Sequence, residues 1–241
     1  MAGIIRDYVW VLGFYAIILV CTYILHHKLK HRSPASKKVP FLSITIAILL
    51  LEAARQVIAL ARGYTPANLP FYMCSLYMLI FALASFAKTG SKLSNIGYAL
   101  SLIIGMPLAI STLLLPFVVF DVLIYGSATQ HIFTGNAVFR HYHSFFFHML
   151  GVFFVTLCVV FRPYKPVKRD GMLAIIVFLC FVLTSTIASK LTQVNYIRIW
   201  GFPLNIPVPV LVILYQIIPL MGFVLSRMLF AFTTKAKQSD L

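Results

Sequence analysis

Long apolar runs separated by short polar segments dominate the chain. Seven of them approach the roughly 20 residues that an α-helix needs to cross the hydrocarbon core of a bilayer. They cover residues 9 to 26, 41 to 62, 71 to 87, 94 to 116, 143 to 161, 172 to 190 and 208 to 232. The pattern predicts an all-α, polytopic membrane protein whose seven transmembrane helices form a single domain over residues 1–241. No small-residue cleavage site follows the first run, Val9 to Leu25, so it reads as a retained helix rather than a signal peptide. Pro107 and Pro219 fall inside the fourth and seventh runs and predict interruptions of the helical hydrogen bonding there. The longest connection, residues 117 to 142, mixes Phe, Val and Tyr with Gly126, Gly135 and His131 and is a candidate lid.

Composition agrees with the pattern: 61% of the 241 residues are hydrophobic, 10% are charged, and mean hydropathy is +0.95. The charge adds orientation. Twenty Lys and Arg oppose five Asp and Glu, a formal net charge of +15 that by itself fits a nucleic-acid binder or a partner of anionic lipid. The basic residues, however, cluster in short segments between apolar runs instead of forming a stripe, which argues against nucleic acid and for membrane topology. Fourteen of them, from Lys28, Lys30, Arg32, Lys37 and Lys38 through Lys88, Lys92, Arg162, Lys165, Lys168 and Arg169 to Arg227, Lys235 and Lys237, share one side. Five, Arg6, Arg62, Arg140, Lys190 and Arg198, share the other, and Arg55 lies inside a helix. The bias places the first set in the cytoplasm, the N-terminus outside and the C-terminus inside, in a multi-pass protein of the cell membrane whose partners are membrane lipids.

Within the apolar runs a few polar residues stand out, because an ionisable group at membrane depth is costly unless paired or wetted. Glu52 and Arg55, three residues apart in the second run, share a helix face and can pair; an ion pair that only assembles the bundle is the bland alternative. Cys74 lies where the third helix is expected to start, and a thiol at a helix N-terminus gains thiolate character from the dipole, although most buried cysteines are inert. His148, one to two turns into the fifth helix, lies at matching depth, so the two have the residue types of a nucleophile and its general base. A histidine that merely packs and hydrogen-bonds is the alternative. Lys190 and Asn195 add polar groups to the external rim, where a belt with Tyr196 and Trp200 would also place them. These six residues converge on the outer half of the membrane, as a polar cavity open to that leaflet requires. The other cysteines, Cys21, Cys158 and Cys180, form neither a CxxC motif nor a disulfide framework with Cys74. His131, His141 and His143 match no standard ligand spacing, so no metal is expected.

The order of motifs resembles the YwaF family of bacterial membrane proteins, which extends to the eukaryotic transmembrane protein 164. The resemblance is carried by Glu52, by the Leu-Pro-x-x-x-Cys-Ser run from Leu69 to Ser75, by the Phe-Phe-x-His run ending at His148, and by Asn195, Tyr196, Gly201 and Pro203. It departs at Tyr72, where the family commonly has a histidine, and in a longer segment between Cys74 and His148. The resemblance implies a seven-helix fold and a cysteine-histidine acyltransferase acting on phospholipids without a cofactor. By that resemblance Cys74 would accept the acyl group and His148 would serve as base; the polar residues themselves add Glu52 and Arg55, with Lys190 or Asn195, as groups that would orient the histidine or bind the substrate's phosphate and developing oxyanion. The competing reading is a non-enzymatic transporter or lipid-binding protein using the same pocket, against which the lack of an inverted repeat counts. A seven-helix receptor ranks last, without an output domain or a retinal-type lysine. Oligomeric partners are not read from the sequence.

In a cysteine-free background, Tyr64→Cys is expected to react with an impermeant thiol reagent in intact cells, and Thr89→Cys only after permeabilisation. The reverse pattern inverts the orientation.

Overall fold

The chain follows its hydropathy closely. A computed structural model describes residues 2–115, 137–194, 196 and 208–239. It contains the helices α1 (Ala2–Leu29), α2 (Pro34–Arg62), α3 (Leu76–Phe86), α4 (Lys92–Ile103), α5 (Gly105–Leu114), α6 (Ala137–Phe161), α7 (Lys168–Thr192), α8 (Val208–Tyr215) and α9 (Ile217–Ser239), with no strand among the described residues. Six helical stretches are long and apolar enough to cross a membrane: Tyr8–Leu29, Pro34–Arg62, Lys92–Leu114, Tyr142–Phe161, Lys168–Thr192 and Val212–Ala231. The run expected as the third crossing differs. Leu69 is extended, the chain turns tightly at Pro70 where the Phe71 amide donates to the Leu69 carbonyl at 2.9 Å, short 3-10 turns form at Pro66–Asn68 and Met73–Ser75, and the α-helix starts only at Leu76. Its 11 residues reach about 17 Å at 1.5 Å per residue, short of the ~30 Å hydrocarbon core.

Local signals set the helix ends. Ser33 caps α2 by accepting from the Ser36 amide at 3.3 Å, with Pro34 in the first helical position. Ser91 does the same for α4 through the Ser94 amide at 3.2 Å. Gly90, at φ +74°, turns the chain between α3 and α4 in a left-handed conformation that a side chain disfavours. The buried residues Phe41, Ile44, Thr45 and Ile48 of α2 recur every three or four positions, the stripe of a helix packed on one side. Leu50 and Val57, at 65% and 64% exposure, line its other side, an arrangement suited to lipid rather than water. α6 begins more than a turn before its apolar run, because helix propagation needs backbone hydrogen bonds and not hydrophobicity.

An aromatic stack forms the centre. Phe81 of α3 lies parallel to Phe154 of α6 at 3.9 Å between ring centroids, and Tyr77 stacks on Phe81 at 4.9 Å. Phe41 meets the edges of Phe154 and Tyr98 at 5.1 and 5.2 Å. Glycines allow the closest approaches around this stack: a Cβ on Gly97 would fall 2.2 Å from the Ala84 amide nitrogen, so α3 and α4 are in backbone contact there.

Both expected interruptions occur. α4 and α5 part at Ile104, three residues before Pro107, and α8 and α9 part at Gln216, three before Pro219. Proline lacks an amide hydrogen, so Pro107 leaves the Ile103 carbonyl without its helical donor. Gly222 of α9 packs on that carbonyl so tightly that a Cβ there would lie 1.7 Å from the oxygen. The interrupted helix thus uses its freed, buried carbonyl as a contact surface for the Cα of a neighbour.

Gly222→Ala is therefore expected to destabilise the protein by about 1–3 kcal/mol through overpacking. Gly13→Ala, at a site with nothing within 4 Å, leaves thermal unfolding in detergent unchanged.

Candidate functional site

Glu52 and Arg55 form the pair that their spacing predicts. Arg55 Nε donates to Glu52 Oε2 at 2.8 Å and Nη2 donates to Oε1 at 2.5 Å, a two-pronged geometry that fixes both side chains. Gln56, one residue further along α2, donates from Nε2 to Glu52 Oε1 at 2.7 Å. The pair is largely shielded, with 12% of the Arg55 and 13% of the Glu52 side chain exposed.

The cluster reaches beyond its own helix in two directions. Arg55 Nη2 and Gln56 Nε2 both donate to the Asn68 carbonyl at 2.9 Å, tying α2 to the irregular segment that leads to Cys74. On the other side, His143 Nε2 of α6 lies 3.4 Å from Glu52 Oε2. His143, considered in the sequence only beside His131 and His141, is therefore a neighbour of the carboxylate. His131 lies outside the described residues.

The Cys74 segment is held from several sides, since its 3-10 turns leave carbonyls that no helix satisfies. Besides the Asn68 carbonyl, that of Phe71 accepts from Ser185 Oγ of α7 at 2.9 Å, and that of Pro66 accepts from the Tyr196 hydroxyl. Tyr196 is itself placed by its amide, which donates to Ser189 Oγ at 3.1 Å, and its ring meets the edges of Phe71 and Tyr72 at 5.6 and 5.2 Å. Asn68 Nδ2 donates to Thr65 Oγ1 at 3.1 Å and closes the first turn. Cys74 is partly buried against the core, two residues ahead of the first residue of α3, and within electrostatic range of Glu52 and Arg55.

His148 is also partly buried. Its Nδ1 lies 2.7 Å from the Ser144 carbonyl oxygen, which can only accept, so Nδ1 carries a proton and the lone pair of the neutral ring is on Nε2. His143 lies within electrostatic range of it. The structure thus brings Glu52, Arg55 and Cys74 together, with His143 between this group and His148. Lys190 is not joined to them: its side chain is exposed on the last turn of α7, and no described contact links it to the cluster. Asn195, Arg198, Trp200, Gly201 and Pro203 lie outside the described residues, as do residues 117–136 of the candidate lid, whose last residues form the start of α6.

Gln56 was readable from the same helical spacing as Arg55, since residues four apart share a face. Asn68 and Ser185 carry no such signal, because a backbone carbonyl or a single serine acquires its role only from what packs beside it.

Apolar helices in this number, enclosing a charged cluster, define a multi-pass α-helical membrane protein. The chain belongs to the TMEM164 family, whose model matches residues 4–235, as the motifs around Glu52, Cys74 and His148 suggested. Among curated proteins and solved structures nothing matches it.

Arg55→Leu leaves the Glu52 charge shielded without its main partner and is expected to cost about 3 kcal/mol in thermal unfolding. The double variant Glu52→Leu/Arg55→Leu costs less than Arg55→Leu alone, because no unpaired charge remains.

Proposed function

We propose that this chain is a membrane-embedded cysteine/histidine acyltransferase or lipase-like enzyme that acts on phospholipid acyl esters near the outer leaflet of the cell membrane. In this reading residues 1–241 form one domain of seven crossings, with the N-terminus outside and the C-terminus cytoplasmic. The seventh crossing is α3 together with the irregular segment before it. Non-helical backbone is tolerated at membrane depth where protein satisfies its polar groups, and side chains from elsewhere in the fold hydrogen-bond the carbonyls of Pro66, Asn68 and Phe71.

The observation that carries the chemical reading is the tautomer of His148. With Nδ1–H committed to the Ser144 carbonyl, Nε2 has the lone pair that a general base needs. Nε2 takes the proton of the Cys74 thiol as sulfur attacks the ester carbonyl carbon. The tetrahedral intermediate then collapses, the ester C–O bond breaks, and the proton passes from Nε2 to the departing alcohol of the lysolipid. A second alcohol, or water, attacks the Cys74 thioester in the reverse sense and releases the acyl group. Arg55 supplies positive charge for the phosphate or the developing oxyanion, held in place by Glu52, with Lys190 or Asn195 assisting at the rim. The reaction requires no cofactor.

Purified protein in phospholipid micelles is expected to react with an iodoacetamide probe selectively at Cys74, and Cys74→Ser abolishes that label. His148→Ala slows the labelling by about a hundredfold, the lower end of the range for loss of a general base. Equal reaction of all four cysteines, or labelling indifferent to His148→Ala, overturns the reading in favour of a lipid-binding protein or transporter.

A further inference from the structure

The proposed reaction demands that two segments with no covalent reason to be near one another, the turn carrying Cys74 and the helix carrying His148, keep a fixed separation. Two of the contacts already described meet at one carboxylate. On one side, Glu52 holds Arg55 and Gln56, and both donate to the Asn68 carbonyl of the Cys74 segment. On the other, Glu52 Oε2 lies 3.4 Å from Nε2 of His143, which stands on α6 five residues before His148. The His143 side chain is 11% exposed, and its ring lies 5.6 Å from that of Phe147, the residue adjacent to His148.

We propose that His143 is a positioning residue: through Glu52 it locks α6 to the Arg55, Gln56 and Asn68 contacts and so sets His148 relative to the Cys74 thiol. The inference rests on the acyltransferase reading. Its physical basis is that the electrostatic attraction of an imidazole N–H for a shielded carboxylate 3.4 Å away is stronger than the apolar contacts around it. Apolar packing alone lets α6 slide or rotate by fractions of an ångström at little cost. A charge-assisted contact confines that freedom, and a misplacement of about 1 Å is enough to cost a reaction about a hundredfold. His143 does not touch the reacting atoms in this scheme. It acts through Glu52 on one segment and through the α6 backbone on the other.

The test compares His143→Phe, which keeps a ring and loses the donor, with His143→Gln, whose amide N–H reaches about as far as a histidine Nε2. Full-length protein in phospholipid micelles is treated with iodoacetamide across a pH series, and the rate at Cys74 is read by mass spectrometry. His143→Phe is expected to slow Cys74 labelling at neutral pH by about tenfold and to move its pH profile towards that of His148→Ala. His143→Gln restores the wild-type profile and a rate within about twofold of wild type. A wild-type profile in His143→Phe alongside an altered one in His148→Ala overturns the positioning role and leaves the acyltransferase reading intact. Equal slowing in the Phe and Gln variants also overturns it, because the requirement is then for the imidazole itself and not for the donor. A wild-type profile in His148→Ala overturns the acyltransferase reading, and the positioning role with it.

Discussion

Backbone carbonyls that no helix satisfies are the constraint around which this structure is arranged. Between α2 and α3 the chain runs through a left-handed glycine, a Leu-Pro turn and two 3-10 turns, whose own amides reach some of the segment's carbonyls and leave those of Asn68 and Phe71 to side chains. In a low-dielectric interior each would cost on the order of 1–3 kcal/mol unsatisfied. Arg55, Gln56 and Ser185 supply the missing donors and Tyr196 adds a second one to the Pro66 carbonyl, and in doing so they bind α2, α7 and the residue beyond it to the segment that carries Cys74.

The same constraint explains why the charged pair sits where it does. Arg55 carries more donors than one carboxylate can use in a fixed geometry, and the surplus reaches the Asn68 carbonyl. Glu52 keeps the guanidinium neutralised, so its shielding costs less than that of a lone charge. Stability and site are therefore not separable here: the contacts that make an irregular segment tolerable also define the surroundings of Cys74. Elsewhere, Pro107 frees the Ile103 carbonyl and Gly222 packs its Cα on it.

Much of the site was legible in advance, and the misses are instructive. Glu52 and Arg55 were readable because a spacing of three on a helix is itself a geometry. Gln56, at spacing four, obeyed the same rule. His143 was visible as a polar residue near the head of a helix, yet its partner was not, since Glu52 lies ninety-one positions earlier in the chain. The helical start expected near residue 71 shifted to Leu76, because the extended preference of Leu69 before Pro70 and the demand for side-chain donors outweighed the apolar run that follows.

Hydropathy, proline placement and motif order by themselves determined the helical membrane class, the interruptions at Pro107 and Pro219, and the family. Each of these is a property of residues adjacent in the chain, and transfer to lipid is summed locally along it. Tertiary structure alone decided that Asn68 presents its carbonyl to α2, that Ser185 bonds to Phe71, that His143 meets Glu52 and that Lys190 stands apart. Hydrogen bonds between distant segments depend on how helices rotate and approach, and packing sets those variables with no trace in local sequence.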